Sequence, residues 1–459
     1  MKTKRILISL LCLLVCILML SSCDILFSPI FSSDSNSDSS SNTGTIGGGF
    51  DTSTNQGAST DTSIVGVSLS SAYINDNGEL ILVYTNGTEQ NLGVVVGKDG
   101  DIDVEISGTG ADIGLAVSKA LKSSVSITCS FTKGSLFDAQ TYGSSGSGVI
   151  FKVENGKAFI ITNYHVVYDA NSNTSNKISD KINVYLYGAE YQEHAIPAEF
   201  VGGAAGYDIA VIAIDSSHLN GGAYGPCDIS NSNAVCVGDI AIAVGNPEGT
   251  GVSATSGIVS VDSEEIDVDI WNNSSDDAVS LRVMRIDTAV NPGNSGGGLF
   301  DKNGNLIGIV NAKTSDDTIE GIGYAIPSNI AYGVAQNIID NCYGKANESV
   351  IKPMLGITIT INSTKAVTNA DGRVVIEQEV YVTEVSSSGI ANGIFKANDI
   401  IKSVRINDGD AVTVTRQFHV IDHMLNARIG DTVYTVVVRN GVEMTLETVI
   451  TASSMTTVK

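Results

Sequence analysis

The 459-residue sequence predicts a mainly β protein of about three domains. Three observations carry this. Glycine is abundant (48) and tryptophan single, while Val, Ile and Thr recur in short runs, a composition suited to short strands and turns. Asn77-Gly78 and Asn86-Gly87 bracket an apolar run over residues 79–85, which is a strong hairpin signal. Between residues 125 and 326, apolar runs at 158–161, 209–212 and 240–244 are broken by Gly, Asn and Asp, as in a sandwich or in barrels.

The elements follow in chain order. Lys2, Lys4 and Arg5 precede an apolar run over residues 6–20, then Leu20-Ser21-Ser22-Cys23. The run is short and ends on small residues, so residues 1–22 read as a signal peptide rather than a membrane-spanning helix. Its last four residues resemble the lipobox of bacterial lipoproteins. That resemblance implies lipidation of Cys23 and an extracytoplasmic protein anchored at the bacterial cell membrane. Residues 23–60 are rich in Ser, Asn, Asp, Gly and Thr and read as a flexible linker. Residues 61–110 read as a small β-module with no clustered catalytic residue types. Residues 111–121 read as a short helix with Ala116, Val117, Ala120 and Leu121 on one face. They open a β-rich domain over 111–345. That domain closes with a helix over 328–342, which Ser328 is expected to N-cap after Pro327 and Gly344 to stop. Residues 350–455 form a last mixed α+β domain.

The formal net charge is −24, from 26 basic and 50 acidic residues. Such a chain repels nucleic acid, so no nucleic-acid partner is expected. Cys129, Cys227, Cys236 and Cys342 show no CxxC or His spacing, so no zinc site is expected. Cys227 and Cys236 could pair across a loop or remain buried thiols.

Three segments carry chemistry: Thr162-Asn163-Tyr164-His165, Gly206-Tyr207-Asp208-Ile209, and Asn291-Pro292-Gly293-Asn294-Ser295-Gly296-Gly297. A serine hydroxyl is a weak nucleophile unless a base takes its proton. An imidazole is suited to that task near neutral pH. A carboxylate can fix the imidazole tautomer and stabilise the imidazolium. Glycines beside the serine let main-chain N–H groups converge on a developing oxyanion. His165, Asp208 and Ser295 are therefore the expected triad. The loop Gly293, Asn294 and Ser295 is the expected oxyanion hole, with the N–H groups of Gly293 and Ser295 as donors. The order His, Asp, Ser is that of chymotrypsin-type enzymes. His194, His218, His419 and His423 have no such context and are taken as surface or packing residues.

With these motifs stand Gly146-Ser147-Gly148-Val149-Ile150, Ala243-Val244-Gly245-Asn246-Pro247, Thr255-Ser256-Gly257-Ile258 and Gly321-Ile322-Gly323-Tyr324-Ala325-Ile326-Pro327. Together they cover most of residues 125–330, and the segment resembles the HtrA (DegP-like) branch of the trypsin-like serine proteases. The resemblance implies a chymotrypsin-like double β-barrel with the site between the barrels, no cofactor, polypeptide substrates and ATP-independent endopeptidase action on unfolded or damaged extracytoplasmic proteins. Homotrimers are typical of the family. Two alternatives share the fold: a regulatory protease with one specific partner, and a catalytically idle surface binding protein.

The resemblance places Ala289, six residues before Ser295, at the base of the substrate pocket, with Val290, Ile309, Asn311 and Ala312 as further lining. With no Asp at 289, a small or medium aliphatic side chain before the cut is expected. Ile64-Val65-Gly66-Val67 imitates a zymogen N-terminus but lies far before His165, and Asn294 replaces the Asp that pairs with such a terminus. Activity is therefore expected without propeptide cleavage. After residue 350, Met354-Leu355-Gly356-Ile357, Asn398-Asp399-Ile400-Ile401, a helical run over 417–427 and Gly430-Asp431-Thr432-Val433 resemble the PDZ domains that follow HtrA proteases. This implies capture of C-terminal peptides at Met354, Leu355, Gly356 and Ile357, with Ile359, Val420 and Met424 along the groove.

Overall fold

A computed structural model describes residues 69–74, 79–84, 87–94, 113–134, 138–189, 194–249, 251–269, 278–311, 321–345 and 350–458. The expected signal peptide, the linker with Cys23, residues 64–67 and the pocket residue Ala312 lie outside them. The chain divides into two compact units, residues 1–105 and 106–459.

In the first unit β1 (Leu69–Ile74), β2 (Glu79–Tyr84) and β3 (Glu89–Val94) form an antiparallel sheet in sequence order. Asn77, Gly78 and Asn86 lie outside the described residues.

The second unit opens with α1 (Ile113–Leu121), which buries Ala116 and Ala120. Six strands then close a barrel: β4 (Ser124–Lys133), β5 (Gln140–Glu154), β6 (Lys157–Thr162), β7 (Lys181–Leu186), β8 (Ile196–Ala204) and β9 (Ile209–Asp215). A second barrel follows: β10 (Ile240–Gly245), β11 (Ser253–Val268), β12 (Val279–Ile286), β13 (Gly298–Phe300), β14 (Leu306–Asn311) and β15 (Gly323–Pro327). Both barrels place their six strands in the same order: first, second, third, sixth, fifth, fourth.

The near-continuous apolar runs of β6 and β9 now have a cause. Ala158, Ile160, Ala210, Ile212 and Ile214 fill the first barrel, while Phe159, Ile161, Ile209, Val211 and Ala213 face the opposite way. That second face packs into a core shared with Ile242, Val244 and the helix α2 (Ser328–Cys342). Strands buried on both faces read as unbroken apolar runs. Each fully buried Ile or Phe contributes about 1.5–3 kcal/mol. The helix begins where expected, but Ser328 does not cap it. Its hydroxyl donates to the carbonyl of Ser230 at 2.7 Å, and Pro327 occupies the cap position.

A third sheet holds β17 (Ile357–Thr368), β18 (Val374–Val385), β19 (Ile400–Ile406), β21 (Thr432–Arg439) and β22 (Val442–Val449) in that order. Short β20 (Val412–Thr413) pairs with β19, and β16 (Ile351–Pro353) pairs with β23 (Met455–Thr457). The helix α3 (Gln417–Met424) packs on this sheet through Val420 and Met424. Four Arg–Asp pairs fasten the sheet and α3 to the second barrel and α2: Arg282–Asp422, Arg373–Asp239, Arg416–Asp262 and Arg428–Asp340. Cys227 and Cys236 are free thiols, as are Cys129 and Cys342.

Candidate active site

The site is built where β6 ends. A single helical turn, Tyr164–Val167, follows the strand and carries His165. Asp208 lies just before β9, the antiparallel neighbour of β6, so the ends of two adjacent strands bring the pair together. Asp208 adopts φ 50°, the left-handed region that Asp tolerates better than most residues. This turn aims its carboxylate at His165 and its main-chain oxygen at the residues before it. Its main-chain oxygen accepts from Tyr164 N (3.1 Å) and Asn163 Nδ2 (2.9 Å). Its Oδ1 accepts from His165 N (3.0 Å), and its Oδ2 lies 2.7 Å from His165 Nδ1. A carboxylate only accepts, so Nδ1 carries the hydrogen and Nε2 is left as the basic nitrogen.

A third donor completes the carboxylate shell. Asn311 Nδ2 donates to Asp208 Oδ2 at 3.0 Å, and both residues are fully buried. Asn311, expected in the pocket, lies at the end of β14 with its amide donating to Asp208. Ile309, also expected in the pocket, is fully buried in the core shared with α2. Val290 is half-buried against the second barrel's interior, and the exposed Ala289 fixes its carbonyl on Thr255 Oγ1 at 2.9 Å.

The Ser295 loop docks onto the first barrel. Asn294 N donates to Asn291 O at 3.0 Å, closing a turn with Pro292 second and Gly293 third at φ 99°. Pro then Gly is what a type II turn asks for. Ser147 anchors the loop: its N donates to Ser295 O (2.8 Å) and its hydroxyl to Gly293 O (2.7 Å). The same hydroxyl accepts from Asn246 N at 2.8 Å. Gly296, at φ 83°, sits so close to the end of β6 that a Cβ there would be 2.3 Å from Ser147 O and from Thr162 Oγ1, and 3.0 Å from Asn163 N. The nucleophile candidate therefore lies beside the residues that lead into His165. Ser147 and Thr162 were visible in the motifs, but only as unassigned flanks.

A second concavity, of about 330 Å³, lies between β17 and α3. Met354, Leu355, Gly356, Ile357, Ile359, Val420 and Met424 all line it. Leu355 O accepts from Ala391 N (3.0 Å) and Gly356 O from Ser386 N (2.7 Å). In a trans peptide the N–H opposes the C=O, so the N–H groups of Gly356 and Ile357 are turned away from those partners. Tyr207 and Lys352, neither of them expected there, also line the groove; Lys352 Nζ is 3.1 Å from the Tyr207 hydroxyl.

Two like-ordered barrels, with a histidine–aspartate pair and a glycine-bound serine loop between them, define a trypsin-like peptidase fold. Residues 146–309 match the trypsin-like peptidase domain family. The chain is 35% identical over 314 residues to the serine protease Do-like HtrA of Bacillus subtilis (strain 168), covering 66% of this chain and 63% of that protein. It is 30% identical over 329 residues to the serine protease Do-like HtrA of Lactococcus lactis subsp. lactis (strain IL1403), covering 69% and 73%. A solved structure, HtrA-type protease AlgW with decapeptide, shares 27% identity at a TM-score of 0.44, covering 74% of this chain and 98% of that one. The chain belongs to the HtrA family of Do-like serine proteases. It spans 63% of the length of the Bacillus relative.

Proposed function

We propose that the chain is a serine endopeptidase in which Ser295 is the nucleophile, His165 the general base and Asp208 the orienting carboxylate. The observation that carries this is the 2.7 Å His165–Asp208 bond beside a serine loop held against the end of β6. Ser295 Oγ attacks the scissile carbonyl while His165 Nε2 takes its proton. The imidazolium then passes that proton to the leaving amine, and water releases the acyl group by the same route. Asn294 N–H is already committed to Asn291 O, so the oxyanion reading narrows to the N–H groups of Gly293 and Ser295.

Polypeptide substrates, unfolded or damaged extracytoplasmic proteins among them, fit this reading. So does a PDZ-like role for residues 350–455: β17 offers an open edge, the loop at 354–357 can cradle a terminal carboxylate, and Lys352 adds a positive charge. An anchor on Cys23 would hold the chain at the membrane, and Cys23→Ala should then release it to the medium. A homotrimer is the assembly that light scattering should find. The decisive experiment is casein degradation together with fluorophosphonate labelling. Both should be present in the wild type and absent in Ser295→Ala. A folded wild type that neither cleaves nor labels would leave an idle binding protein instead, and cleavage of a single partner but not casein would leave a regulatory protease.

A further inference from the structure

Among the described residues β17 pairs with β18 on one side, and its other edge faces α3 across the groove. In an antiparallel strand the N–H and C=O of one residue point to the same side, and alternate residues share that side. Ile357 and Ile359 therefore present the acceptors that an added strand would use. One acceptor is already taken. Gln417, the first residue of α3, donates from Nε2 to Ile359 O at 2.9 Å. Its own N–H donates to Gln378 Oε1 at 3.0 Å, which holds its backbone in place while its side chain lines the groove.

We propose that Gln417 is a placeholder: its amide occupies the strand-edge acceptor an incoming peptide needs, so that every ligand must displace it. The inference rests on the peptide-binding reading of the groove. The occupant is a peptide with a free terminal carboxylate, set by the N–H groups of Gly356 and Ile357 and by Lys352. Its last side chain is aliphatic, set by Leu355, Val420 and Met424. With the last residue bonded at Ile357, the third residue from the end falls opposite Ile359 and brings its own N–H to the acceptor Gln417 holds. A ligand thus exchanges one hydrogen bond for another, and gains less than an open edge would give. The groove selects for extended peptides that make every other contact.

The test uses the full-length chain carrying Ser295→Ala and a fluorescein-labelled decapeptide pool, randomised upstream and ending in Val with a free carboxylate, against the same pool amidated. Anisotropy gives Kd for the parent, for Gln417→Ala and for the isosteric Gln417→Met. Both variants should bind the carboxylate pool about two- to tenfold tighter, the size of one net intramolecular hydrogen bond. Unchanged or weaker binding in either variant overturns the placeholder while leaving the groove a peptide site. Tightening by Gln417→Met alone would be an apolar contact gain and also overturns it. If no form distinguishes the carboxylate pool from the amidated one, the peptide-binding reading falls and the placeholder with it.

Discussion

Removal of the Asn311 amide tests how the Asp208 carboxylate of the proposed triad is held. Asp208 is fully buried and accepts from three donors: His165 Nδ1, His165 N and Asn311 Nδ2. A hydrogen bond to a charged group contributes about 1.5–3 kcal/mol. Two donors remain after the substitution, so the pair keeps its contact but loses one restraint on the Oδ2 that grips the imidazole. If about 1.5–3 kcal/mol is lost from the transition state, kcat falls about 10- to 150-fold. KM should barely change, because Asn311 faces Asp208 and not an open cleft. Asn311→Ala leaves space in which a water could replace the amide. Asn311→Leu fills that space without a donor and should be the slower enzyme. The assay is hydrolysis of a fluorogenic peptide with Val before the cut, with the active fraction counted by fluorophosphonate titration and folding checked by Tm. A folded Asn311→Leu enzyme with kcat within threefold of the wild type would refute the positioning role. Asn311→Asp should be worse than either, since it sets a second carboxylate against a buried one.

The remaining predictions concern the loop, the interdomain ion pair and the pocket. Gly296→Ala must push Ser147 or Thr162 aside at a position with φ 83°, so activity should fall by at least about 100-fold while the barrels still unfold cooperatively; wild-type turnover would refute the docking account. Arg282→Met strands Asp422, which is 3% exposed, and should cost about 3–5 kcal/mol at pH 7, whereas Arg282→Met with Asp422→Leu should recover most of it. Burial pushes the Asp422 carboxyl up from 3.8 to about 6 despite Arg282 beside it. A raised carboxyl favours the fold below the unfolded value and loses that contribution as pH rises through about 6. The Arg282→Met defect in Tm should therefore shrink from pH 7 to pH 5, and a flat profile would contradict this. With Ala289 in place of a carboxylate, cleavage profiling should favour Val, Ala or Ile before the cut; a profile dominated by Lys or Arg would overturn the pocket assignment.

What the sequence made legible divides along chain separation. The segments around His165, Asp208 and Ser295 stand out because each is a local motif with a glycine or strand-end context, and the structure sets His165 against Asp208. β6, β9 and β10 were readable because strands buried on two faces leave unbroken apolar runs. The Asn311 contact with Asp208 is not legible because the partner lies 103 residues away, and nothing in Ile309-Val310-Asn311 says which side of β14 meets Asp208. Tyr207 and Lys352 meet across 145 residues, and both look like ordinary surface positions in the sequence. The Ser328 hydroxyl had a local use as a cap but is drawn instead to a carbonyl 98 residues away. In each case a local rule competed with a contact that only the closed barrels could supply. The same logic bears on Tyr207: it is joined by a peptide bond to Asp208 and by its hydroxyl to Lys352 in the peptide groove. A ligand carboxylate that draws on the Lys352 ammonium therefore acts one residue from Asp208. Where the two places couple, a peptide in the groove and a non-covalent ligand at the proposed triad must change each other's affinity by the same factor.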